Sequence, residues 1–136
     1  SSSLNNLEPV GRLKTVITQL KDAPKGSSIG YSRGGFAEDD LTIAIIPIGY
    51  ADGFSRCLSN GKGHVLVNGK LAPVIGNVCM DMTLINVTDV QCKEGDEVII
   101  FGIERPIEDL AKEMGTISYE VMASISQRVV RVYLED

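Results

Sequence analysis

Histidine occurs once in this chain, cysteine three times, and no stretch of apolar residues is long. Each shortage excludes a class of function. A Ser/His/Asp mechanism would have to use His64, which sits at the edge of an expected hairpin and is a poor candidate for a general base. The three thiols, Cys57, Cys79 and Cys92, form an odd and irregularly spaced set. That pattern does not suit a disulfide framework and suits a reducing compartment, so the thiols are read as structural or incidental. With no CxxC and a single imidazole, a zinc site is not expected, nor any other metal. The apolar run from Ile43 to Ile48 is far too short to span a bilayer. No G-x-S-x-G, P-loop or GxGxxG string occurs. Net charge is −5 with the signs interleaved, and there is no basic run to track a phosphate backbone, so neither nucleic acid nor membrane is an expected partner. No secretion-signal pattern opens the chain, and the expected address is the cytoplasm.

What is present is a chain of 136 residues, the size of one domain. The polar opening predicts a linker or frayed end over residues 1–8, cut from something longer, with the domain at 9–136. Leu13, Val16, Ile17 and Leu20 have helical spacing, but Thr15-Val16-Ile17-Thr18 is a β-branched run. We read this segment as strand. Leu41 to Ile46 reads as a buried strand. Val65-Leu66-Val67 and Lys70-Leu71-Ala72 flank Asn68-Gly69, the strongest short hairpin signal. Met82 to Val87 and Glu97 to Phe101 are further strands, with a turn at Lys93-Glu94-Gly95-Asp96. A helix is expected between Pro106 and Gly115, on the apolar stripe of Ile107, Leu110, Ala111 and Met114. A second begins near Ser118 with Glu120 in its first turn, and Arg128 to Leu134 returns as strand. Together these predict a mainly β fold: a small closed, Greek-key-like β-barrel with two short helices near the C-terminus.

None of the seven lysines (14, 21, 25, 62, 70, 93 and 112) lies in an apolar run that would desolvate it, as a Schiff-base lysine requires. The residues alone therefore supply no complete catalytic set. Three glycine- and tyrosine-rich loops remain: Gly30 to Phe36, Gly49 to Arg56, and Gly76 to Asp81. Glycine lets backbone approach a ligand or partner closely. The plainer reading makes Tyr31 and Tyr50 ordinary half-buried residues with satisfied hydroxyls.

At these loops the chain resembles a known family. PIGYADGFSR, VCMDMT, and GTISYEV with QRVVRVY are similar to signatures of the alanine racemase carboxy-terminal domain, in the family's order. LKTVITQLKDAPKGSSIGY fits as well. The resemblance implies a pyridoxal-phosphate-dependent amino-acid racemase. An amino-terminal (β/α)8 barrel would carry the cofactor lysine, and a head-to-tail homodimer would bring this β domain over the partner's active site. It implies that Tyr31 is the catalytic tyrosine that exchanges the α-proton on one face of the substrate. It likewise implies that Tyr50 narrows the inner mouth of the substrate channel and that Arg56 lies further out. Met80 would hold the substrate carboxylate through its backbone N–H, Asp81 would lie beside it, and Tyr119 would hydrogen-bond the cofactor phosphate near Ile117. One departure is visible: Asn77 stands where many members have arginine. The implied activity is interconversion of L- and D-alanine for peptidoglycan synthesis. Serine or broad specificity, and a parent fused to a cell-wall precursor ligase, fit the same domain. The alternative is a β-barrel binding module without chemistry, which an upstream barrel with a cofactor lysine would exclude.

Overall fold

The computed structural model describes residues 12–28 and 37–125. The opening segment, the Tyr31 loop and the expected strand from Arg128 to Leu134 lie outside the described residues. The described residues form seven strands: β1 (Leu13–Val16), β2 (Gln19–Ala23), β3 (Leu41–Ile46), β4 (His64–Val67), β5 (Lys70–Pro73), β6 (Thr83–Asn86) and β7 (Glu97–Phe101). Two helices follow, α1 (Ile107–Met114) and α2 (Ser118–Ser124). The mainly β fold with two late helices is as expected.

The closed barrel is not. The described strands form two sheets, one ordered β1-β7-β4-β5 and one ordered β2-β3-β6. The ladder is interrupted at two corners. β5 ends at Pro73, which has no N–H to donate, and a single bridge, Val74 to Ile85, links it towards β6. On the other side the chain changes sheet between β1 and β2. Ile17 N–H donates to the Asp96 carbonyl at 2.9 Å, and Thr18 N–H donates to the Ile45 carbonyl at 2.9 Å. Adjacent residues thus bond to different sheets, which is how a strand turns the corner of a sandwich.

That corner also settles the ambiguous segment. Leu13 to Leu20 is strand, broken in two. Leu13, Thr15 and Ile17 are buried at alternating positions, the period of a strand. β3 is covered on both faces: Ala44 and Ile46 enter the main core, while Ile43 and Ile45 pack with Ala23, Ala37 and Leu84. Its unbroken apolar run follows from that double burial. The hairpin turns at Asn68 and Gly69, with φ of 49° and 84°, the positive pair that a two-residue connection demands. α1 ends at Gly115 with φ 74°. Its N–H bonds the Lys112 carbonyl and the Thr116 N–H reaches Ala111 at 2.9 Å, closing a Schellman motif. Leu110, Ala111 and Val121 bring both helices onto the core.

Candidate functional site

The chain leaves β3 at Ile46 and enters a tight loop that organises the site. Ile48 is buried, and its carbonyl accepts the Thr83 hydroxyl at 2.6 Å. Tyr50–Asp52 then forms one 3-10 turn with Gly49 as its cap. The Gly49 N–H donates to Asp52 Oδ2 at 3.1 Å, and the Asp52 N–H donates back to the Gly49 carbonyl at 2.9 Å. Gly53 closes the turn with φ 98°, a conformation that favours glycine.

This turn docks on a second loop, about thirty residues away in sequence but adjacent in space. Tyr50 N–H donates to the Cys79 carbonyl and Ala51 N–H to the Met80 carbonyl, both at 2.9 Å. The approach is close enough that a Cβ on Gly49 would lie 2.2 Å from the Cys79 oxygen. Behind the turn, a Cβ on Gly53 would lie 2.4 Å from the Ser124 carbonyl oxygen at the end of α2. Both glycines are therefore required by backbone contact, a signal that their presence in a loop only suggests.

Four of the sequence-selected residues gather along this junction. Tyr50 is 45% exposed and Met80 is 56% exposed. The Arg56 guanidinium carbon lies 5.6 Å from the centre of the Tyr50 ring, within cation–π range. Asp81 and Arg56 both act on the Cys79 thiol. Burial pushes that thiol's pKa up, the Asp81 carboxylate pushes it the same way, and Arg56 opposes them. The Met80 carbonyl is used by Ala51, but its N–H has no main-chain acceptor among the described residues. Asn77 is held by a neutral neighbour: Asn60 Nδ2 donates to its Oδ1 at 3.2 Å.

Tyr119 is placed separately. It opens α2 and is 77% exposed, with Ile117 beside it also exposed. The Gly53 turn meets Ser124 and Ile125 at the other end of that helix. Five helical residues advance about 7.5 Å along the axis, so Tyr119 and the turn lie at opposite ends of α2. Tyr31 lies outside the described residues. Each of the seven lysines is exposed except Lys14, which is half-buried and paired with Glu97 at 2.9 Å. His64 is half-buried, with Nδ1 2.8 Å from Glu113 Oε2.

Sequence reasoning singled out Tyr50 and passed over Asp52. The available signal was the Gly-x-x-Asp spacing, in which the fourth side chain reaches back to the N–H of the first as in a capping box. The docking of residues 49–51 on 79–80 had no local signal.

Residues 10–133 match the family model for the alanine racemase C-terminal domain. The alanine racemase of Clostridium novyi is 43% identical over 136 residues, covering 96% of this chain and 35% of that protein. Alanine racemase 2 of Caldanaerobacter subterraneus subsp. tengcongensis is 46% identical over 134 residues, covering 95% of this chain and 34% of that protein. Among solved structures, the biosynthetic alanine racemase from Pseudomonas aeruginosa superposes with a TM-score of 0.83 at 31% identity, covering 95% of this chain and 36% of that one. Alanine racemase from Bartonella henselae with covalently bound pyridoxal phosphate gives 0.80 at 33% identity, over 86% of this chain and 33% of that one. The chain spans about a third of the length of the curated relatives it matches.

Proposed function

The chain belongs to the alanine racemase C-terminal domain family, and from that premise we propose that it is the channel-forming part of a pyridoxal-phosphate-dependent, cytoplasmic alanine racemase that works as a homodimer. The reaction is interconversion of L- and D-alanine, which supplies D-alanine for peptidoglycan. The observation that carries this reading is the junction of the Tyr50 turn with the Cys79–Met80 backbone, which gathers an exposed phenol, a guanidinium, a carboxylate and an amide N–H on one edge.

Each group has a role that its chemistry supports. The Met80 N–H, without a main-chain acceptor among the described residues, is suited to hold the substrate carboxylate. Tyr50, with Arg56 over its ring, narrows the channel, and Asp81, which opposes Arg56 in its effect on the Cys79 thiol, lies beside Met80 at its mouth. Pyridoxal phosphate, when bound, withdraws electron density from the α-carbon and so makes its C–H acidic. The described residues fit a share in holding that group. Tyr119 offers a phenol from an exposed position suited to a phosphate oxygen. No lysine of this chain is buried, so the covalent anchor is assigned to the rest of the protein. Tyr31 takes or returns the α-proton on one face of the substrate. Inversion needs a second base on the opposite face, which the anchoring lysine supplies. A free phenol has a pKa of about 10, so Tyr31 needs a cation from the surrounding protein to act near neutrality.

The test uses the full-length protein. Tyr31→Phe removes the phenolic proton carrier and is expected to slow racemisation in both directions on the order of a hundredfold or more. The 136-residue chain alone, with added cofactor, is expected to turn over no alanine. Near-normal rates in Tyr31→Phe would overturn the role of Tyr31. Turnover by the isolated chain would overturn the division of labour between the domains.

A further inference from the structure

We propose that Asp52 is a positioning residue for the substrate channel: its buried carboxylate locks the Tyr50 turn against the Met80 peptide and so sets the width of the opening between them. The inference rests on the assignment of Tyr50 and Met80 to that channel. Asp52 is only 2% exposed, in a turn whose other two residues, Tyr50 and Ala51, are open to solvent. A carboxylate is among the groups least often buried, and it stays buried where hydrogen bonds hold it. Here Oδ2 accepts the Gly49 N–H at 3.1 Å. Gly49 is the residue whose missing Cβ allows the approach to the Cys79 carbonyl. One side chain thus fixes the first residue of the turn, and the next two residues donate to Cys79 and Met80.

The coupling runs in a short chain of bonds. The Asp52 carboxylate holds Gly49. Gly49 in turn accepts from the N–H of Asp52 at 2.9 Å and of Phe54 at 3.1 Å, and Phe54 is seated in the core. The Tyr50 and Ala51 N–H groups then meet the carbonyls of residues 79 and 80. Loss of the carboxylate leaves the Gly49 N–H buried without that acceptor, and the turn must move to hydrate it. Any such movement displaces Tyr50 relative to Met80. Asp52 touches neither substrate nor cofactor in this scheme and acts through the two residues that do.

The experiment compares Asp52→Ala, Asp52→Ser and Asp52→Asn in the full-length protein. Asparagine keeps an acceptor oxygen at the same reach; serine is one bond shorter and alanine has none. The expected result is a KM for alanine raised on the order of tenfold in Ala and Ser, with kcat changed far less, and most of the loss restored in Asn. Hydrogen exchange of the Tyr50 and Ala51 amides should accelerate in Ala and Ser while exchange in β7 does not, again with recovery in Asn. If Ala does not fold, the Ser and Asn pair carries the same comparison. Equal loss of kcat and KM in all three variants, or no change in amide exchange, overturns the proposal. If the unsubstituted protein racemises nothing, the functional reading falls, and the exchange pattern alone then decides whether Asp52 locks the turn.

Discussion

Asp96 joins three segments through one residue. Its Oδ2 accepts the Lys93 N–H at 2.9 Å and Asn68 Nδ2 at 3.1 Å, and its carbonyl accepts Ile17 N–H at the corner between the sheets. The side-chain bond from Asn68 and the main-chain bond from Lys93 hold its carboxyl below the ordinary value of 3.8 against the opposing effect of burial. A carboxyl whose folded-state pKa is depressed adds stability above its unfolded value, and that stability disappears as pH falls through the folded value. The window is therefore below 3.8. Asp96→Asn removes the titration but keeps an acceptor oxygen. Its urea midpoint should fall less steeply than that of the unsubstituted protein as pH drops from 4 towards 2, and identical acid slopes would dismiss the linkage. At this scale the sequence was informative only locally. Asn68-Gly69 marked its own turn because the needed positive φ depends on those two residues alone. The bond from Asn68 to Asp96 spans 28 positions, and no local pattern points to it.

Helices and strands were legible wherever their signals were local. Pro106 and Gly115 bracketed α1 because a missing N–H suits the first turn and a left-handed residue suits the end. The segment from Leu13 to Leu20 was harder, since apolar positions there fit two periods and only β-branching separated them. What joins elements was not legible. Glu113 on α1 accepts the His64 N–H at 2.9 Å, faces His64 Nδ1 at 2.8 Å, and accepts from Arg105 Nη2 at 2.6 Å. Arg105 is buried, and its Nε has no hydrogen-bond partner among the described residues. One carboxylate therefore ties α1 to the start of β4 and neutralises a guanidinium that is almost wholly buried. Removing one partner from a fully buried pair costs about 3–5 kcal/mol. His64 is a third exposed and Glu113 a fifth, so solvent screening reduces the expected loss for Glu113→Ala to about 2–3 kcal/mol. Glu113→Gln, which keeps an oxygen for the His64 N–H, should lose less. Urea unfolding measures both, and a loss below about 1 kcal/mol in Ala would mean that Arg105 finds another partner or reaches water.

As a whole the molecule has a sealed interior and an unfinished surface. Both sheets and both helices share one core of buried residues, yet Met80, Ile103, Ile117 and Tyr119 are each more than half exposed. Monomers seldom leave large apolar side chains open in groups, and such groups mark contact surfaces. The chain is about a third as long as its relatives, so the proposed racemase has ample further surface to cover these residues. The two sites should nevertheless be covered differently. In the proposed homodimer, the family resemblance would put Met80 at the partner subunit's site and Tyr119 at the site of its own subunit. Hydroxyl-radical footprinting of the isolated chain should modify both readily, since 56% of Met80 and 77% of Tyr119 is open. In the proposed full-length dimer both should be protected several-fold. On dilution into the monomer range, Met80 should regain its reactivity, because its cover leaves with the other subunit. Tyr119 should remain protected, because its cover is part of the same chain. Loss of protection at both residues together would place both sites at the subunit interface and reject the division between them. Protection of neither residue in the dimer would reject the contact surfaces altogether, whatever the fold of the domain.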